Sequence, residues 1–364
     1  MAQLVLMTTF HKALSYGGCL QAYATFRVIK NLGYDVRVID FENPYEARKK
    51  TLSSLLGKGT SQEIVATLVK DVFFKGSQYR KSAFGDFCSC LPLTENTYAS
   101  TCEMEDVRAD VFVVGSDQVW NPEITNGLEP AFFLDFGVAR KRVSLSSSMG
   151  SHIPSEDELR QMTRYLARFT SISVREEFAR ARLAPGSRKD VRVTLDPTLL
   201  VEPEEWRRFA VEPSGFKVRP YILLFMVANP STQYVGYLDG ISRKTGCEVV
   251  QVRLNSNRPK GVSRVIPATP QEFVWLVENA SMVFTDSFHG IAFSIGLETP
   301  FVFLPNPGNN VRIEELLAFC GLEGRDVRNF ESSSTFPPLD FSYSRKLVSK
   351  KRSDDLAWLA EALQ

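Results

Sequence analysis

The residues best suited to chemistry in this chain are Thr285-Asp286-Ser287-Phe288-His289-Gly290. The apolar run 281–284 before them predicts a short buried strand, and 290–296 predict the start of an apolar helix. A loop between such elements lies at the carboxyl end of a parallel sheet, where open α/β folds bind ligands. His289 would lie at or beside a helix N-terminus, where it can transfer protons beside a bound phosphate or carboxylate. The alternative is an Asp/Ser-rich turn whose histidine is satisfied by a backbone carbonyl.

A second group of polar residues follows the continuous apolar run 111–114, which is typical of a central strand buried on both faces. It reads Gly115-Ser116-Asp117-Gln118-Val119-Trp120-Asn121-Pro122. Asp117 and Asn121 can hydrogen-bond sugar hydroxyls, and Trp120 can stack on a sugar face. The alternative is a capped turn with Trp120 in the core.

A further strand is predicted over 171–176 and ends in charged residues just before a helix, so Arg175 should emerge at the same edge of the sheet as Asp117. A guanidinium there can hold a carboxylate or phosphate through two hydrogen bonds. The alternative is an ion pair between Arg175 and Glu176 or Glu177.

The chain begins with a predicted strand at 4–7, a helix from about Cys19 to Leu32 and a second strand near 36–41. This βαβ unit indicates a parallel sheet. The Gly17-Gly18 pair before the helix lacks the spacing of a dinucleotide-binding fingerprint. It can let a sugar or phosphate approach the helix N-terminus, or it can form a plain tight turn.

Size and composition narrow the class of protein. A chain of 364 residues favours two domains, and a net charge of +1 gives no indication of a bulk nucleic-acid binder. The six cysteines lack zinc-type spacing, and with only three histidines we expect neither a metal nor disulfides. Neither a signal peptide nor a membrane span is recognisable, so a cytoplasmic protein is expected.

The predicted architecture is two Rossmann-like α/β domains whose parallel sheets face a cleft. The first covers 1–212 and carries a helical insertion at about 43–97, and the second covers 213–344. A helix over 345–364 is expected to return to the first domain. The region 60–90 combines an apolar stripe with basic residues, which suits a membrane surface or a lipid-linked pyrophosphate, or else a solvated face.

Five motifs, in order, resemble the polysaccharide pyruvyl transferase family. They are Tyr16-Gly17-Gly18-Cys19-Leu20-Gln21-Ala22-Tyr23, the motif from Gly115 to Pro122, Ser173-Val174-Arg175-Glu176, Leu195-Asp196-Pro197-Thr198 and Ser287-Phe288-His289-Gly290. The resemblance implies a fold similar to the two-domain B-type glycosyltransferases. It also implies transfer of a carboxyethylidene group from phosphoenolpyruvate to two hydroxyls of a hexose, with galactose-type acceptors favoured, in a surface polysaccharide precursor that is often lipid-diphosphate-linked.

The resemblance also assigns roles to residues. It makes His289 and Arg175 catalytic, and it needs no cofactor besides the donor substrate. The expected donor-binding residues are Ser287, Phe288, Gly290 and Arg312. The expected acceptor-binding residues are Gly17, Gly18, Gln21, Asp117, Trp120 and Asn121. Some family members carry an arginine two residues before the histidine, where this chain has Ser287, so Arg312 is the candidate for the second cation.

Two other functions remain compatible with the sequence. One is a glycosyltransferase of the same fold that uses a nucleotide sugar, although no nucleotide site is recognisable. The other is a non-catalytic glycan-binding protein, against which the presence of both Arg175 and His289 argues.

Overall fold

The computed structural model describes residues 2–42, 83–87, 89–217, 219–227, 232–253, 261–306, 310–330 and 336–364. These residues form two compact units. The first contains Gly85–Leu200, Asp354–Gln364 and the described residues before 43, and the second contains Val201–Ser353. The predicted insertion over 43–97, with its basic 60–90 region, lies mostly outside the described residues.

The first unit is a parallel sheet covered by helices. Its strands are β1 (Leu4–Thr8), β2 (Asp35–Phe41), β3 (Leu93–Tyr98), β4 (Arg108–Val114), β5 (Val138–Ser147), β6 (Ser171–Val174) and β7 (Val191–Val193). Its helices are α1 (Tyr16–Asn31), α2 (Pro122–Thr125), α3 (Glu156–Leu166), α4 (Glu177–Leu183) and α5 (Pro197–Leu200). The strand order is β3-β2-β1-β4-β5-β6-β7, and each neighbouring pair is parallel. Central strand β4 is buried on both faces from Val111 to Val114, as its apolar run predicts.

The second unit repeats this plan with a smaller sheet. Its strands are β8 (Tyr221–Phe225), β9 (Glu248–Val252), β10 (Arg264–Ile266), β11 (Met282–Thr285) and β12 (Phe301–Phe303). Its helices are α6 (Pro203–Phe209), α7 (Thr232–Thr245), α8 (Pro270–Glu278), α9 (Phe288–Leu297), α10 (Val311–Cys320) and the first part of α11 (Ser342–Leu363). The order is β10-β9-β8-β11-β12, again all parallel. The predicted α/β class with two parallel sheets is confirmed.

Local signals explain several helix starts. A capping box at Ser155 and Glu158 begins α3, because each side chain accepts a hydrogen bond from the other residue's backbone. Helix α1 begins at Tyr16, earlier than the predicted Cys19, because the Ser15 side chain accepts a hydrogen bond from the Gly18 N–H. Gly17 and Gly18 therefore belong to the first turn of the helix and not to a preceding loop.

The boundary between the units lies after Leu200, whereas the sequence places it after Glu212. Helix α6 belongs to the second unit because Trp206 is buried against Phe293, with ring centroids 4.8 Å apart. The C-terminal helix begins at Ser342 and its last turns belong to the first unit. There the buried Asp355 accepts hydrogen bonds from the Leu195 N–H at 2.8 Å and from Arg192 at 3.2 Å.

Candidate functional site

The carboxyl ends of the strands in the first sheet carry a buried polar network. Thr9 follows β1, Ser116 and Asp117 follow β4, Arg175 follows β6 and Asp196 follows β7. Because all strands are parallel, these residues lie at one edge of the sheet, the edge at which open α/β folds bind ligands.

Arg175 forms the centre of this network. Its Nη1 lies 2.9 Å from Asp196 Oδ2, its Nη2 3.6 Å from Asp117 Oδ1 and its Nε 3.8 Å from Glu176 Oε2. Burial alone would lower the pKa of Arg175, but the carboxylates of Asp196, Asp117 and Glu176 outweigh it and raise the pKa. The guanidinium is thus charged and closely surrounded by carboxylates.

The ion-pair alternative for Arg175 named Glu176 or Glu177, and the partner with the shortest contact is instead Asp196. Glu177 pairs with Arg180 on the exposed face of α4. The Arg175–Asp196 pair could not be predicted from the sequence, because 21 residues separate the two partners. The role of Arg175 in donor binding stays a prediction, and any anion that binds there must compete with these carboxylates.

Gln21 joins the first turn of α1 to the two loops that follow β1 and β4. Its Nε2 donates to Thr9 Oγ1 and to the Gly18 carbonyl, both at 2.9 Å, and its Oε1 accepts from the Ser116 N–H at 3.0 Å. The side chain is fully buried. These bonds occupy the amide, so Gln21 supports the loops, and the prediction that it contacts an acceptor does not fit its burial.

Trp120 belongs to the core, which was the alternative to a sugar platform. Only 1% of the residue is exposed, its ring stacks on Phe133 at 5.5 Å, and its Nε1 donates to the Phe132 carbonyl at 2.8 Å. A sugar has no open ring face to stack on, so this prediction is corrected. Asn121 is also buried, and its Oδ1 caps α2 by accepting from the Glu123 N–H at 3.0 Å.

The remaining acceptor candidates are the two glycines and Asp117. A Cβ atom at Gly18 would lie 2.6 Å from Ala13 Cβ, so glycine is required there for packing inside the unit. Gly17 and Asp117 are half-buried. Asp117 has a φ of +68°, a backbone conformation that is uncommon for residues other than glycine and that recurs at functional sites.

In the second unit, His289 lies in the first turn of α9, at the carboxyl end of β11. Ser287 is the N-cap residue, and its hydroxyl accepts from the Gly290 N–H at 3.4 Å. The preceding Asp286 accepts from the Val227 N–H at 2.6 Å, which ties the loop to the end of β8. His289 is 7% exposed. His289 is therefore a nearly buried residue in the first turn of a helix, and a helix N-terminus favours an anionic ligand.

Gly290 allows β11 and α9 to approach closely. A Cβ atom there would lie 2.4 Å from Thr285 Oγ1. That same oxygen accepts the Ser287 N–H at 3.0 Å, so it fixes the loop in front of the helix. A side chain at 290 would thus displace the residues that position His289.

Arg312 lies next to this loop, as the sequence suggests. It is in the first turn of α10, and its Cζ is 6.0 Å from the centroid of the Phe288 ring, within range of a cation–π contact. The Phe288 ring in turn packs edge-to-face against the His289 ring at 5.3 Å. Phe288 therefore connects a cation and an imidazole at one edge of the second sheet.

Sequence reasoning missed one group of charged residues, namely His11, Lys12, Asp40 and Glu42. They follow or end the neighbouring strands β1 and β2, and Asp40 contacts both His11 and Lys12. These residues could have been found from the sequence, because they lie at or just after the ends of two predicted strands that pair in a βαβ unit.

The described residues hold neither a candidate metal centre nor a membrane span. Across them, no group of three or more His, Cys, Asp and Glu side chains is arranged to hold a metal ion. No helix in this part of the chain is long and apolar enough to cross a bilayer.

Comparison with known proteins gives one family. Residues 16–308 match the family model described as polysaccharide pyruvyl transferase, and all five sequence motifs lie in that range. No curated protein matches the chain.

Two solved structures are similar to this chain along nearly its whole length. The UDP-GlcNAc 2-epimerase from Neisseria meningitidis bound to UDP-GlcNAc is 13% identical, with 100% of this chain and 99% of that chain covered and a TM-score of 0.48. The glycosyltransferase SnogD from Streptomyces nogalater is 14% identical, with 100% and 98% covered and a TM-score of 0.42.

Proposed function

The chain belongs to the polysaccharide pyruvyl transferase family, and on that basis we propose that it forms a pyruvate ketal on a sugar. The donor is phosphoenolpyruvate, and the acceptor is a pair of hydroxyls on a galactose-type hexose in a surface-polysaccharide precursor. The observation that carries the proposal is His289 in the first turn of α9, at the carboxyl edge of a parallel sheet and next to Phe288, whose ring Arg312 contacts.

The reaction needs a proton at carbon and a place for a leaving phosphate. His289 donates a proton to the methylene carbon of phosphoenolpyruvate, which makes the adjacent carbon electrophilic. One sugar hydroxyl forms a C–O bond there and gives up its proton, which restores the imidazolium. The C–O bond to phosphate then breaks, and the second hydroxyl closes the ketal while its proton leaves with the phosphate. Carbon is neither oxidised nor reduced overall.

The groups around His289 suit the anionic donor. The N–H groups at the start of α9 and the guanidinium of Arg312 would hold the carboxylate and phosphate of phosphoenolpyruvate. The donated hydrogen bonds stabilise charge that develops on the departing phosphate. Ser287 would fix the start of this helix by accepting the Gly290 N–H, and Phe288 lies in contact with the neighbouring cation.

Arg175 is the second residue to which we assign a catalytic role, as the family resemblance implies. Its raised pKa keeps it cationic, and Asp196 holds it in one orientation. A preorganised guanidinium can stabilise the transition-state charge without reorganising when the reaction occurs.

The test is phosphate release from phosphoenolpyruvate with and without added galactosides. We expect release that depends on the sugar, together with a product about 70 mass units heavier than the acceptor, because the carboxyethylidene group replaces two hydroxyl hydrogens. His289→Gln should lower kcat by about a hundredfold or more while leaving the circular dichroism spectrum unchanged.

The matched control is His152→Gln, a histidine of the first unit that contacts Glu123 and Glu158. It should retain wild-type turnover. Sugar-independent release, turnover with a nucleotide sugar instead of phosphoenolpyruvate, or full activity of His289→Gln would each contradict the proposal.

A further inference from the structure

A second cluster of charged side chains lies at the carboxyl edge of the first sheet. His11 and Lys12 follow β1, Asp40 is the next-to-last residue of β2, and Glu42 follows β2. Parallel pairing of β1 with β2 brings them together. His11 Nε2 lies 3.0 Å from Asp40 Oδ1, and Lys12 Nζ lies 2.6 Å from Asp40 Oδ1 and 2.7 Å from Glu42 Oε1.

The cluster has a buried half and an accessible half. The His11 and Asp40 side chains are 1% and 10% exposed, whereas those of Lys12 and Glu42 are 30% and 48% exposed. Thr97 also donates to Asp40 Oδ2 at 2.7 Å. The buried pair therefore fixes the position of Lys12, and Lys12 fixes Glu42.

Asp40 is ionised in this setting. Burial alone would raise its pKa, but hydrogen bonds from His11, Lys12 and Thr97 outweigh it and hold the pKa well below the usual range. A stable carboxylate between two basic side chains gives the Lys12 ammonium a fixed anchor.

The charges decide which ligand suits the accessible half. The Lys12 ammonium lies between two carboxylates, so its positive charge is compensated and a phosphate or carboxylate ligand gains little there. A hydroxyl group, by contrast, both donates and accepts hydrogen bonds. An ammonium 2.7 Å from a carboxylate offers it one partner of each kind. Neutral sugar hydroxyls match this pair better than an anion does.

Hydrogen bonds from residue to residue, through Thr9 and Ser116, link the cluster to Arg175. His11 Nδ1 lies 3.2 Å from the Thr9 carbonyl, and Thr9 Oγ1 donates to the Ser116 carbonyl at 3.2 Å. Ser116 Oγ then donates at 3.2 Å to Asp196, the partner of Arg175. The cluster is thus part of the same buried polar edge and not an isolated surface pair.

We propose that Lys12 and Glu42 bind hydroxyls of the acceptor sugar, and that Asp40 and His11 position them. The proposal rests on the proposed function, since it names the acceptor subsite of that reaction. It assigns to exposed residues of this edge a role that the buried Gln21, Trp120 and Asn121 cannot fill.

The experiment measures acceptor and donor constants separately for Glu42→Gln and Lys12→Met, with p-nitrophenyl β-galactoside as the acceptor probe. We expect the KM for the galactoside to rise about tenfold through loss of a charge-assisted hydrogen bond, while the KM for phosphoenolpyruvate stays unchanged. Glu177→Gln, which removes an exposed ion pair on α4, is the matched control and should change neither constant. Thermal unfolding of all three variants verifies that they fold.

Saturation-transfer NMR with the galactoside alone separates the subsite from the reaction. Wild-type protein should give a signal that Glu42→Gln and Lys12→Met weaken and that Glu177→Gln retains. This result supports the subsite even if phosphoenolpyruvate proves not to be the donor. An unchanged galactoside KM, equal increases in both KM values, or the absence of an NMR signal with the wild type would each overturn the proposal.

Discussion

Arg175 and Asp196 form a buried ion pair, with Nη1 2.9 Å from Oδ2, between the ends of β6 and β7. Removing one partner of such a pair typically costs about 3–5 kcal/mol, and the loss here is expected at or below the lower end of that range because Asp117 and Glu176 remain near the guanidinium. Asp196→Asn keeps an acceptor for the Thr198 N–H but turns an amide toward the guanidinium. We expect its free energy of unfolding in urea to fall by an amount of that order.

The control for this prediction is Glu177→Gln, which breaks the exposed pair with Arg180. Exposed pairs contribute little because water screens them, so this variant should unfold like the wild type. If Asp196→Asn were as stable as Glu177→Gln, the buried pair would not stabilise the first unit.

Arg312 should act on the donor and not on the acceptor. Its guanidinium is 6.0 Å from the Phe288 ring at the His289 loop. Arg312→Ala should raise the KM for phosphoenolpyruvate about tenfold or more through loss of charge-assisted hydrogen bonds. Arg312→Lys keeps the charge and should raise this KM less. The galactoside KM should not change in either variant.

Arg243→Ala is the comparison for Arg312, since Arg243 is an exposed arginine on α7 paired with Asp239. It should leave both KM values at the wild-type level. If Arg312→Ala had the wild-type KM for phosphoenolpyruvate, Arg312 would not be the second cation that binds the donor.

Gly290→Ala should disturb the His289 loop. The new Cβ would lie 2.4 Å from Thr285 Oγ1, so the strand and the helix must separate or the Ser287 cap must move. Overpacking of this kind costs about 1–3 kcal/mol. We expect lower thermal stability and a lower kcat.

Gly240→Ala provides the matched substitution for Gly290. Gly240 is also helical, but a Cβ there has no neighbour within 4 Å. Alanine should stabilise this helix by about 1 kcal/mol because glycine has the lower helix propensity. If Gly290→Ala also stabilised the protein, the close contact with Thr285 would not limit which residue position 290 accepts.

Local features of the sequence were sufficient to predict the structure of the His289 loop. A short apolar strand, a serine able to cap a helix and an apolar run after it are all adjacent, and they place His289 in the first turn of α9. Trp120 is different, because its environment depends on Phe132 and Phe133, which fold against it from a later segment. A tryptophan after a strand is compatible with a sugar platform or a core position until those contacts are known.

The partners in the charged pairs also could not be predicted from the sequence. His11 contacts Asp40 across 29 residues, and Arg175 contacts Asp196 across 21. Parallel strands bring such residues to one edge, but the register and the side-chain directions decide which of them meet. Sequence could therefore predict the edge at which polar residues gather, while the partners required the structure.

Asp40 should make the stability of the first unit depend on pH in the acid range. Burial alone would raise its pKa above the ordinary value of 3.8, but hydrogen bonds from His11, Lys12 and Thr97 outweigh burial and hold the pKa well below that value. A depressed carboxylate pKa contributes stability that is complete above the unfolded pKa and is lost as the pH falls through the folded one. The contribution should therefore be present at about pH 5 and decline below about pH 4.

The difference in unfolding free energy between the wild type and Asp40→Asn isolates this contribution from the other carboxylates. We expect the wild type to be the more stable at about pH 5 and the difference to shrink toward about pH 2. Glu42→Gln is the comparison, because Glu42 is the exposed carboxylate of the same cluster and makes a weaker, screened contact with Lys12. A difference for Asp40→Asn that stayed constant or grew on acidification would mean that the cluster does not hold Asp40 as a carboxylate.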